Sequence, residues 1–266
     1  MRPSLIDAYC ARLGVHHPGA PDLDTLRRLH AAHAAAIPFE NLDILFGRDI
    51  HLDLDSLRAK LVDARRGGYC FEHNTLFLAM LRELGFEATA MEARVLAGAT
   101  TVRARTHMVL IVRVNREEWL ADVGFGGEGP LEPVPMRGGA ATPETASLAC
   151  RVVTRGSDRV LQMFDGAAWA DQYAFLPQPI EPIDVEVANW YTSTHPQSVF
   201  RRTLTAQRAT HDVRYVLRYP TYTEVRGDLR TSRDILRTEL VPLLREVFLI
   251  DLSDDTRFPL IDDVPR

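Results

Sequence analysis

The chain of 266 residues is 46% hydrophobic and 25% charged, and its formal net charge is −5 at pH 7. This composition suits a folded protein with a sizeable core and does not favour a nucleic-acid partner. No apolar run approaches the roughly 18 residues of a membrane span, and Asp7 and Arg12 interrupt the N-terminal stretch where a signal peptide would be apolar. The three cysteines, Cys10, Cys70 and Cys150, are too far apart to resemble a disulfide scaffold. We therefore expect a reduced, cytoplasmic protein.

The first 85 residues have the pattern of α-helices. Apolar residues recur at intervals of three and four in four segments, each of which ends at glycine or proline. Aspartates at the start of the third segment suit a helix N-terminus. The predicted helices lie within residues 3–14, 21–38, 51–68 and 70–85.

After Gly85 the pattern changes to that of β-strands. Short stretches rich in β-forming residues predict strands within 87–96, 105–114, 117–125, 149–156, 158–166, 201–209 and 213–226. The proline-dense segment 175–184 is predicted to be an ordered connector. Residues 232–248 predict a final helix, kinked or restarted at Pro242. Helices followed by strands and a mixed C-terminal part indicate an α+β fold.

Cys70 stands between a Gly-Gly-Tyr turn and a predicted helix, in the stretch "RRGGYCFEHN" (65–74). The positive end of the helix dipole favours a thiolate, which is the nucleophilic form of cysteine. We expect the glycines to let the chain turn sharply and to bring a substrate close to backbone N–H groups. The position alone also fits a small buried apolar residue, because most free cysteines are of that kind.

A nucleophilic cysteine needs a base, and the base needs a group that orients it. His107 is the best candidate because it opens the apolar run "HMVLIVRV", which a predicted hairpin joins to "EEWLADVGF". A two-residue turn at 115–116 pairs Val114 with Glu117. This register makes His107 and Asp122 diagonal neighbours on one face, whereas a slip of one residue would separate them.

Cys70, His107 and Asp122 together predict a triad for acyl transfer, activated as in thiol proteases. A carboxylate beside a buried imidazole fixes its tautomer and supports its charged form. We therefore expect a thiolate–imidazolium pair at rest, and acylation with an apparent pKa near or below about 6. The alternatives are a satisfied core histidine for His107 and a turn acid for Asp122.

Four stretches of the chain carry a resemblance to the arylamine N-acetyltransferase family. They are "LHAAHAAAIPFENLDI" (29–44), "RRGGYCFEHN" (65–74), "RTHMVLIV" (105–112) and "WLADVGFGG" (119–127), and they occur in the family's order and spacing. The second half of the chain matches loosely, with "THPQSVF" (194–200) as its clearest similarity.

The resemblance implies an α+β fold of three parts: an N-terminal helical bundle (1–85) carrying the cysteine, a central antiparallel β-barrel (86–196) carrying the histidine and the aspartate, and a C-terminal α/β lid (197–266). It also implies acetyl-CoA as the acyl donor and a ping-pong mechanism. The donor acylates the cysteine, coenzyme A leaves, and a small aromatic amine, hydrazine or hydrazide takes the acetyl group.

The family's functional residues can be carried over position by position. The catalytic residues fall on Cys70, His107 and Asp122. The residues near the CoA thiol and the acceptor, or at the mouth of the active site, fall on Arg103, Ala104, Thr106, Phe125 and Gly126. A family signature beside the cysteine turn, whose role we interpret as structural, falls on Phe39, Glu40 and Asn41.

Two positions depart from the family pattern. Arg116 stands where many members have glycine after the hairpin asparagine, which weakens the turn. His73 stands where leucine is common in relatives and histidine occurs in others. Cys70 and His73 have the spacing of half a metal site, but no second pair of ligands has suitable spacing, so we do not expect a metal.

The residues of the triad leave other functions open. A thiol hydrolase or a transglutaminase-like enzyme could use the same three side chains with water or a lysine as acceptor. Within the family, an amide synthase would release a polyketide onto an aryl amine. A binding module with a decayed site is a non-catalytic alternative, which the intact triad disfavours. The sequence indicates neither the physiological acceptor nor the oligomeric state.

Overall fold

The computed structural model describes residues 3–142, 148–164 and 166–263, so Asp165, inside one predicted strand, lies outside the described residues. Helices dominate the N-terminal part, as predicted. The side chain of Ser4 caps the first helix and that of Asp22 caps the second, while Gly14 ends the first in the left-handed conformation with φ 72°. The helices are α1 (Leu5–Leu13), α2 (Leu23–Ala36), α3 (Leu42–Leu45), α4 (Leu54–Leu57), which continues as a π-helical stretch (Arg58–Asp63), and α5 (Cys70–Glu83).

A seven-stranded antiparallel sheet follows the helices. Its strands, in their order across the sheet, are β5 (Val134–Pro135), β4 (Glu117–Ala121), β3 (His107–Val114), β2 (Glu87–Val95), β8 (Trp169–Pro179), β7 (Asp158–Phe164) and β6 (Cys150–Arg155). Beyond β5, the amide of Gly139 donates to the carbonyl oxygen of Val152 at 3.1 Å and that of Thr142 to Cys150 at 2.8 Å, so the two edges nearly close into a barrel.

The prediction of a connector at 175–184 is wrong. Strand β8 continues to Pro179, and helix α6 (Pro182–Thr194) begins three residues later. Pro179 ends the strand, where its missing N–H removes little of the ladder. Pro182 occupies the first turn of α6, where the fixed φ of proline suits a helix start. Pro179 therefore marks the end of a strand and Pro182 the start of a helix, and most of the segment has regular secondary structure.

The C-terminal part forms a second antiparallel sheet, which β1 (Phe39–Glu40) from the helical region joins at one edge. Strand β12 (Leu229–Asp234) was not predicted, because its sequence lacks the alternation of apolar and polar residues, in keeping with a strand whose six residues are all exposed. The predicted final helix begins later than expected, at Arg237, and continues through Pro242. The elements are β9 (Thr205–Ala209), β10 (Arg214–Arg218), β11 (Thr221–Arg226), β12 (Leu229–Asp234), α7 (Arg237–Glu246) and α8 (Pro259–Asp262).

The buried apolar residues form three clusters, and two of them cross the predicted boundaries between parts. Val185 and Ala188 of α6 pack with the N-terminal helices and one face of β2–β4. Leu42 and Leu45 of α3 pack instead under the C-terminal sheet. The third cluster fills the interior of the barrel. Every helix within the described ranges is too short or too polar to cross a bilayer.

Candidate active site

Cys70 is the first residue of α5, as the sequence predicts, and it is 3% exposed. The two glycines before it are packed against neighbouring atoms. A Cβ on Gly67 would lie 2.0 Å from the carbonyl oxygen of Pro38, and one on Gly68 would lie 2.6 Å from Glu72 Oε2. Glycine is therefore needed at both positions, because any side chain there would collide with neighbouring protein atoms. The expectation that these glycines bring a substrate close to backbone N–H groups stays a prediction.

Buried hydrogen bonds hold the turn before Cys70. The amide of Glu40 donates to the carbonyl oxygen of Gly68 at 2.7 Å. The amide of Tyr69 donates to Glu72 Oε2 at 3.0 Å, which satisfies a free N–H at the helix start. Both carboxylates are in turn paired with cations: Glu40 with Arg66 at 2.6 Å, and Glu72 with the Lys60 ammonium at 2.7 Å.

The signature residues Phe39, Glu40 and Asn41 have the structural role that the sequence analysis proposes. The Asn41 amide donates to the carbonyl oxygens of Phe200 and Thr203 at 2.6 and 2.8 Å, and its oxygen accepts from the amide of Thr205 at 2.9 Å. One side chain therefore ties the cysteine region to the C-terminal sheet.

The predicted contact between His107 and Asp122 is confirmed. The turn between β3 and β4 has the expected register, with Val114 opposite Glu117. Residues 115 and 116 have φ values of 50° and 67°, as a two-residue hairpin turn requires, even though the second is arginine rather than glycine. His107 Nε2 lies 2.7 Å from Asp122 Oδ2, and both residues are buried.

Asp122 is held by several groups besides His107. Its Oδ1 accepts from the Asn74 amide and from the Gly124 N–H, both at 2.9 Å. Its own backbone N–H donates to His30 Nε2 at 3.1 Å. Burial alone would raise the pKa of Asp122, but the charge of His107 and these hydrogen bonds together lower it. Asp122 is therefore an ionised, fully oriented partner for the imidazole.

Asn74 connects helix α5, which begins at Cys70, to the hairpin, and this role was not predicted from the sequence. Its amide also donates to the carbonyl oxygen of Met108 at 2.7 Å, and its oxygen accepts from the Val123 N–H at 3.2 Å. A position four residues after Cys70 lies on the same face of a helix, and this spacing is the signal that could have found Asn74. Gly124 packs at the same junction, where a Cβ would lie 2.8 Å from the Cys70 carbonyl oxygen.

The lowering of the Cys70 pKa that the helix start favours meets a larger opposing effect, and the expected thiolate–imidazolium pair stays a prediction. Burial and the charge of Asp122 raise the pKa of Cys70, and they outweigh the hydrogen bond from the Phe71 amide at the helix start, which lowers it. The Sγ atom lies 3.7 Å from the carbonyl oxygen of Thr106, the residue before His107. Formation of a thiolate therefore requires a base that takes the proton.

Phe125 and the buried Tyr173 pack on His107, with ring centroids 5.2 and 5.0 Å from the imidazole. The Tyr173 hydroxyl has no hydrogen-bond partner among the described residues, and burial together with the charge of Asp122 raises its pKa. Gly126 has φ 85°, and a Cβ there would lie 2.6 Å from Gln207 Oε1. The segment after Asp122 is thus fixed by packing on both sides.

A cavity of about 540 Å³ opens between the barrel and α6. Ala104 and Thr106, two of the predicted substrate or CoA contacts, line it. Arg103 does not; its guanidinium donates to the carbonyl oxygens of Ala97 and Gly98 at 3.2 and 2.7 Å. Phe125 and Gly126 do not line it either, but Phe125 contacts His107 directly. Two of the five predicted binding residues therefore line this cavity, and a third, Phe125, packs on His107.

A chain of neutral side chains lies behind the cysteine turn. The Tyr9 hydroxyl lies 2.7 Å from His33 Nδ1, and His33 Nε2 lies 2.8 Å from His73 Nδ1. His73 Nε2 faces the carbonyl oxygens of Pro38 and Gly68 at 3.2 and 3.1 Å. Because carbonyl oxygens only accept, His73 Nε2 carries a proton, and so in turn does His33 Nε2, which leaves His33 Nδ1 to accept from Tyr9.

Both nitrogens of His73 are therefore occupied by protein partners, and this is the physical reason that Cys70 and His73 do not form half a metal site. Burial lowers the pKa of His73 to about 4 and that of His33 well below its ordinary range. Among the described residues, no cluster of three or more histidine, cysteine, aspartate or glutamate side chains could hold a metal ion.

The fold and this site define a class of protein: an α+β enzyme with a buried thiol at a helix start and a carboxylate-paired histidine beside it. Comparison with known proteins supports this class. The N-acetyltransferase family model matches residues 22–257. An arylamine N-acetyltransferase of Mycolicibacterium smegmatis is 42% identical over 80% of this chain and 79% of its own length. One of Salmonella typhimurium is 41% identical over 76% and 72%.

The solved structures give the same result. The Mycobacterium marinum arylamine N-acetyltransferase in complex with CoA superposes with a TM-score of 0.90 at 34% identity and covers 97% of each chain. The chain therefore belongs to the arylamine N-acetyltransferase family, and it is an acyltransferase.

Proposed function

We propose that this protein transfers an acetyl group from acetyl-CoA to an arylamine, arylhydrazine or hydrazide through a thioester on Cys70. The arrangement of His107 supports this proposal most strongly. Since Nε2 donates to the Asp122 carboxylate at 2.7 Å, Nδ1 is the ring atom left to accept a proton. The residue before it, Thr106, contacts Cys70 Sγ through its carbonyl oxygen.

The first half-reaction forms the acyl-enzyme. His107 Nδ1 takes the proton of the Cys70 thiol while the sulfur attacks the thioester carbonyl of acetyl-CoA. The tetrahedral intermediate collapses, the bond from the carbonyl carbon to the CoA sulfur breaks, and the proton on His107 passes to the leaving CoA thiolate. Asp122 stabilises the imidazolium that exists during this step.

The second half-reaction regenerates the thiol. The acceptor nitrogen attacks the acetyl carbonyl, its proton moves to His107, and the Cys70 sulfur leaves and is protonated by the same imidazolium. Exclusion of water protects the thioester between the two steps. The burial of Cys70, His107 and Asp122 supports transfer to an amine rather than hydrolysis.

The reaction is proposed to take place in the cytoplasm, in keeping with three cysteines that are all unpaired. The release of a polyketide onto an aryl amine uses the same steps with a larger acyl group, and it is the alternative within the family. Hydrolysis is the alternative that differs in the acceptor.

Measurement of free CoA distinguishes transfer from hydrolysis. We expect sustained release from acetyl-CoA only when an aromatic amine or hydrazine is present, and formation of the acetylated acceptor in equal amount. Cys70→Ala should abolish both, whereas Cys10→Ala and Cys150→Ala should retain most activity. Sustained release without an acceptor would identify a hydrolase, and turnover by the Cys70→Ala variant would remove the nucleophile assignment.

A further inference from the structure

A tight turn follows Phe125 on the segment that leads from Asp122 to β5. The amide of Gly129 donates to the carbonyl oxygen of Gly126 at 2.9 Å, which closes the turn. Phe125, directly before the turn, packs on His107 with ring centroids 5.2 Å apart. Because both proposed half-reactions pass a proton through His107, a ring packed on the imidazole borders the reacting groups. The placement of the turn therefore determines one wall of the site.

Two buried side chains of the C-terminal sheet face this turn. The register pairs Gln207 of β9 with Val216, and Arg214 of β10 with Ala209, so Gln207 and Arg214 are diagonal neighbours on one face. Gln207 Oε1 accepts from the N–H of Gly127 at 3.0 Å. The two side chains are only 6% and 4% exposed. This face of the sheet therefore lies against the turn.

Arg214 contacts the turn through a single nitrogen. Its Nη1 donates to the carbonyl oxygens of Gly127 and Gly129 at 2.6 and 2.7 Å, whereas Nε and Nη2 have no hydrogen-bond partner within the described ranges. Glu128, the carboxylate of the turn, pairs with Arg218 instead. A buried cation costs free energy that a buried apolar side chain would not. The contact with the two carbonyl oxygens is the feature that accounts for an arginine here.

The turn is packed on both sides. A Cβ on Gly129 would lie 2.9 Å from the Cβ of Phe125, and one on Gly127 would lie 3.0 Å from the carbonyl oxygen of Tyr215 in β10. The turn thus contacts Phe125 on one side and the sheet on the other. Because close-packed groups transmit displacements, a shift of the turn on the sheet would also displace Phe125.

We propose that Arg214 and Gln207 are positioning residues for acetyl transfer and that they act through Phe125. By holding residues 126–129 they keep the Phe125 ring on His107, which restricts the imidazole and shapes the space in which a substrate meets Nδ1. The inference rests on the proposed function, because it takes His107 as the base. The C-terminal sheet, which contributes no residue to the triad, thus takes part in the geometry of the reaction.

A double-mutant cycle with Phe125 distinguishes this positioning role from general stabilisation. Arg214→Met removes the donor and keeps a long side chain. We expect kcat/KM for acetyl transfer to a hydrazine to fall about tenfold in Arg214→Met, in Phe125→Ala and in the double variant, because all three lose the same contact. Gln207→Leu, which removes an acceptor but no charge, should combine with Phe125→Ala in the same way, and it provides the test if Arg214→Met does not fold.

A conservative variant and a matched control complete the experiment. Arg214→Lys should restore most of the activity, because one ammonium nitrogen can donate to both carbonyl oxygens that Nη1 contacts. Arg208, on the other face of the same sheet, also holds two backbone carbonyl oxygens, those of Ala35 and Val247, at 2.7 and 2.9 Å. Any loss of kcat/KM in Arg208→Met should be the same factor with Phe125 as with alanine at that position.

Three results would overturn the proposal: wild-type kinetics in Arg214→Met, losses that multiply when it is combined with Phe125→Ala, or an Arg214→Lys variant no more active than Arg214→Met. The test is separable from that of the base. If His107→Gln were inactive while Arg214→Met kept wild-type kinetics, the base assignment would stand and the positioning role would fail. Full turnover by His107→Gln together with a non-additive cycle would remove the base assignment and leave the coupling of Arg214 to Phe125.

Discussion

His107 and the pair His33 and His73 are all buried, and their hydrogen-bond partners differ. His107 donates to an ionised carboxylate, that of Asp122, which is oriented by Asn74 and Gly124. His33 and His73 contact only neutral groups: each other, a tyrosine hydroxyl and backbone carbonyl oxygens.

The difference shows how one residue type performs two tasks. A carboxylate beside His107 stabilises the imidazolium, so this ring can take a proton during catalysis. His33 and His73 have no carboxylate on either nitrogen, and burial lowers the pKa of both. They stay neutral and act as fixed hydrogen-bonding groups behind the cysteine turn.

Replacing the base should give the largest effect. His107→Gln removes the group that takes the Cys70 proton, so we expect kcat/KM for acetyl transfer to fall by about 10³-fold or more. The same change at His73 should alter kcat/KM by less than about tenfold, because that ring exchanges no proton with substrate. Steady-state kinetics on the two variants test the comparison, and equal losses would contradict it.

The pH dependence of Cys70 alkylation sharpens this prediction. Burial and the charge of Asp122 raise the Cys70 pKa, so in His107→Gln the rate with iodoacetamide should rise only above the usual thiol range of about 8.5. In the wild type the proton can move to His107, and alkylation should occur at lower pH. Identical profiles for the two proteins would show that His107 is not the base.

Asp122→Asn should have the second-largest effect. Asn74 and Gly124 donate to Oδ1, so an asparagine must keep its oxygen there and turn its NH₂ towards His107 Nε2. Nε2 must then accept, which places the ring proton on Nδ1, where the thiol proton should go. We expect a loss of about 10²-fold or more in kcat, or about 3 kcal/mol.

Asp53→Asn is the matched control for this change. Its carboxylate caps α4 by accepting from the Ser56 N–H at 2.9 Å, and asparagine caps a helix equally well. This variant should keep wild-type kinetics. Near-normal turnover by Asp122→Asn would remove Asp122 from the proposed triad.

The contact between His107 and Asp122 could be predicted from the sequence. A two-residue turn fixes the register of a hairpin, and the register determines which side chains share a face. It also predicts that Cys70 begins a helix. The contact between His33 and His73 depends on how α2 packs on α5, and periodicity within one helix carries no information on that packing. The same limit explains why the close approach of Gly67 to Pro38 was not predicted, since the two residues are distant in sequence.

The neutral histidines should give the smallest effect on activity but a measurable one on stability. Their pKa values are lower in the folded than in the unfolded state, so their contribution is complete above about pH 6.5 and is lost as the pH falls towards 4. The loss amounts to about 1.4 kcal/mol per histidine for each pH unit in that window.

Urea unfolding at pH 7 and pH 5 tests this effect. We expect the difference in free energy of unfolding between the two pH values to be smaller in His73→Leu than in the wild type, because one neutral buried histidine is gone. His17→Leu, a change in an exposed loop, should keep the wild-type difference. If His73→Leu also kept it, His73 would not be the neutral group that we describe.

The acyl-enzyme itself provides the most direct test of the proposed mechanism. The protein is incubated with acetyl-CoA in the absence of an amine, quenched in acid and analysed by intact mass and peptide mapping. We predict the added mass of one acetyl group on the peptide that contains Cys70, none on Cys10 or Cys150, and its disappearance on addition of a hydrazine with formation of an equal amount of acetylhydrazide. Transfer to the hydrazine without any acetyl group on Cys70 at any time would contradict a cysteine-bound intermediate.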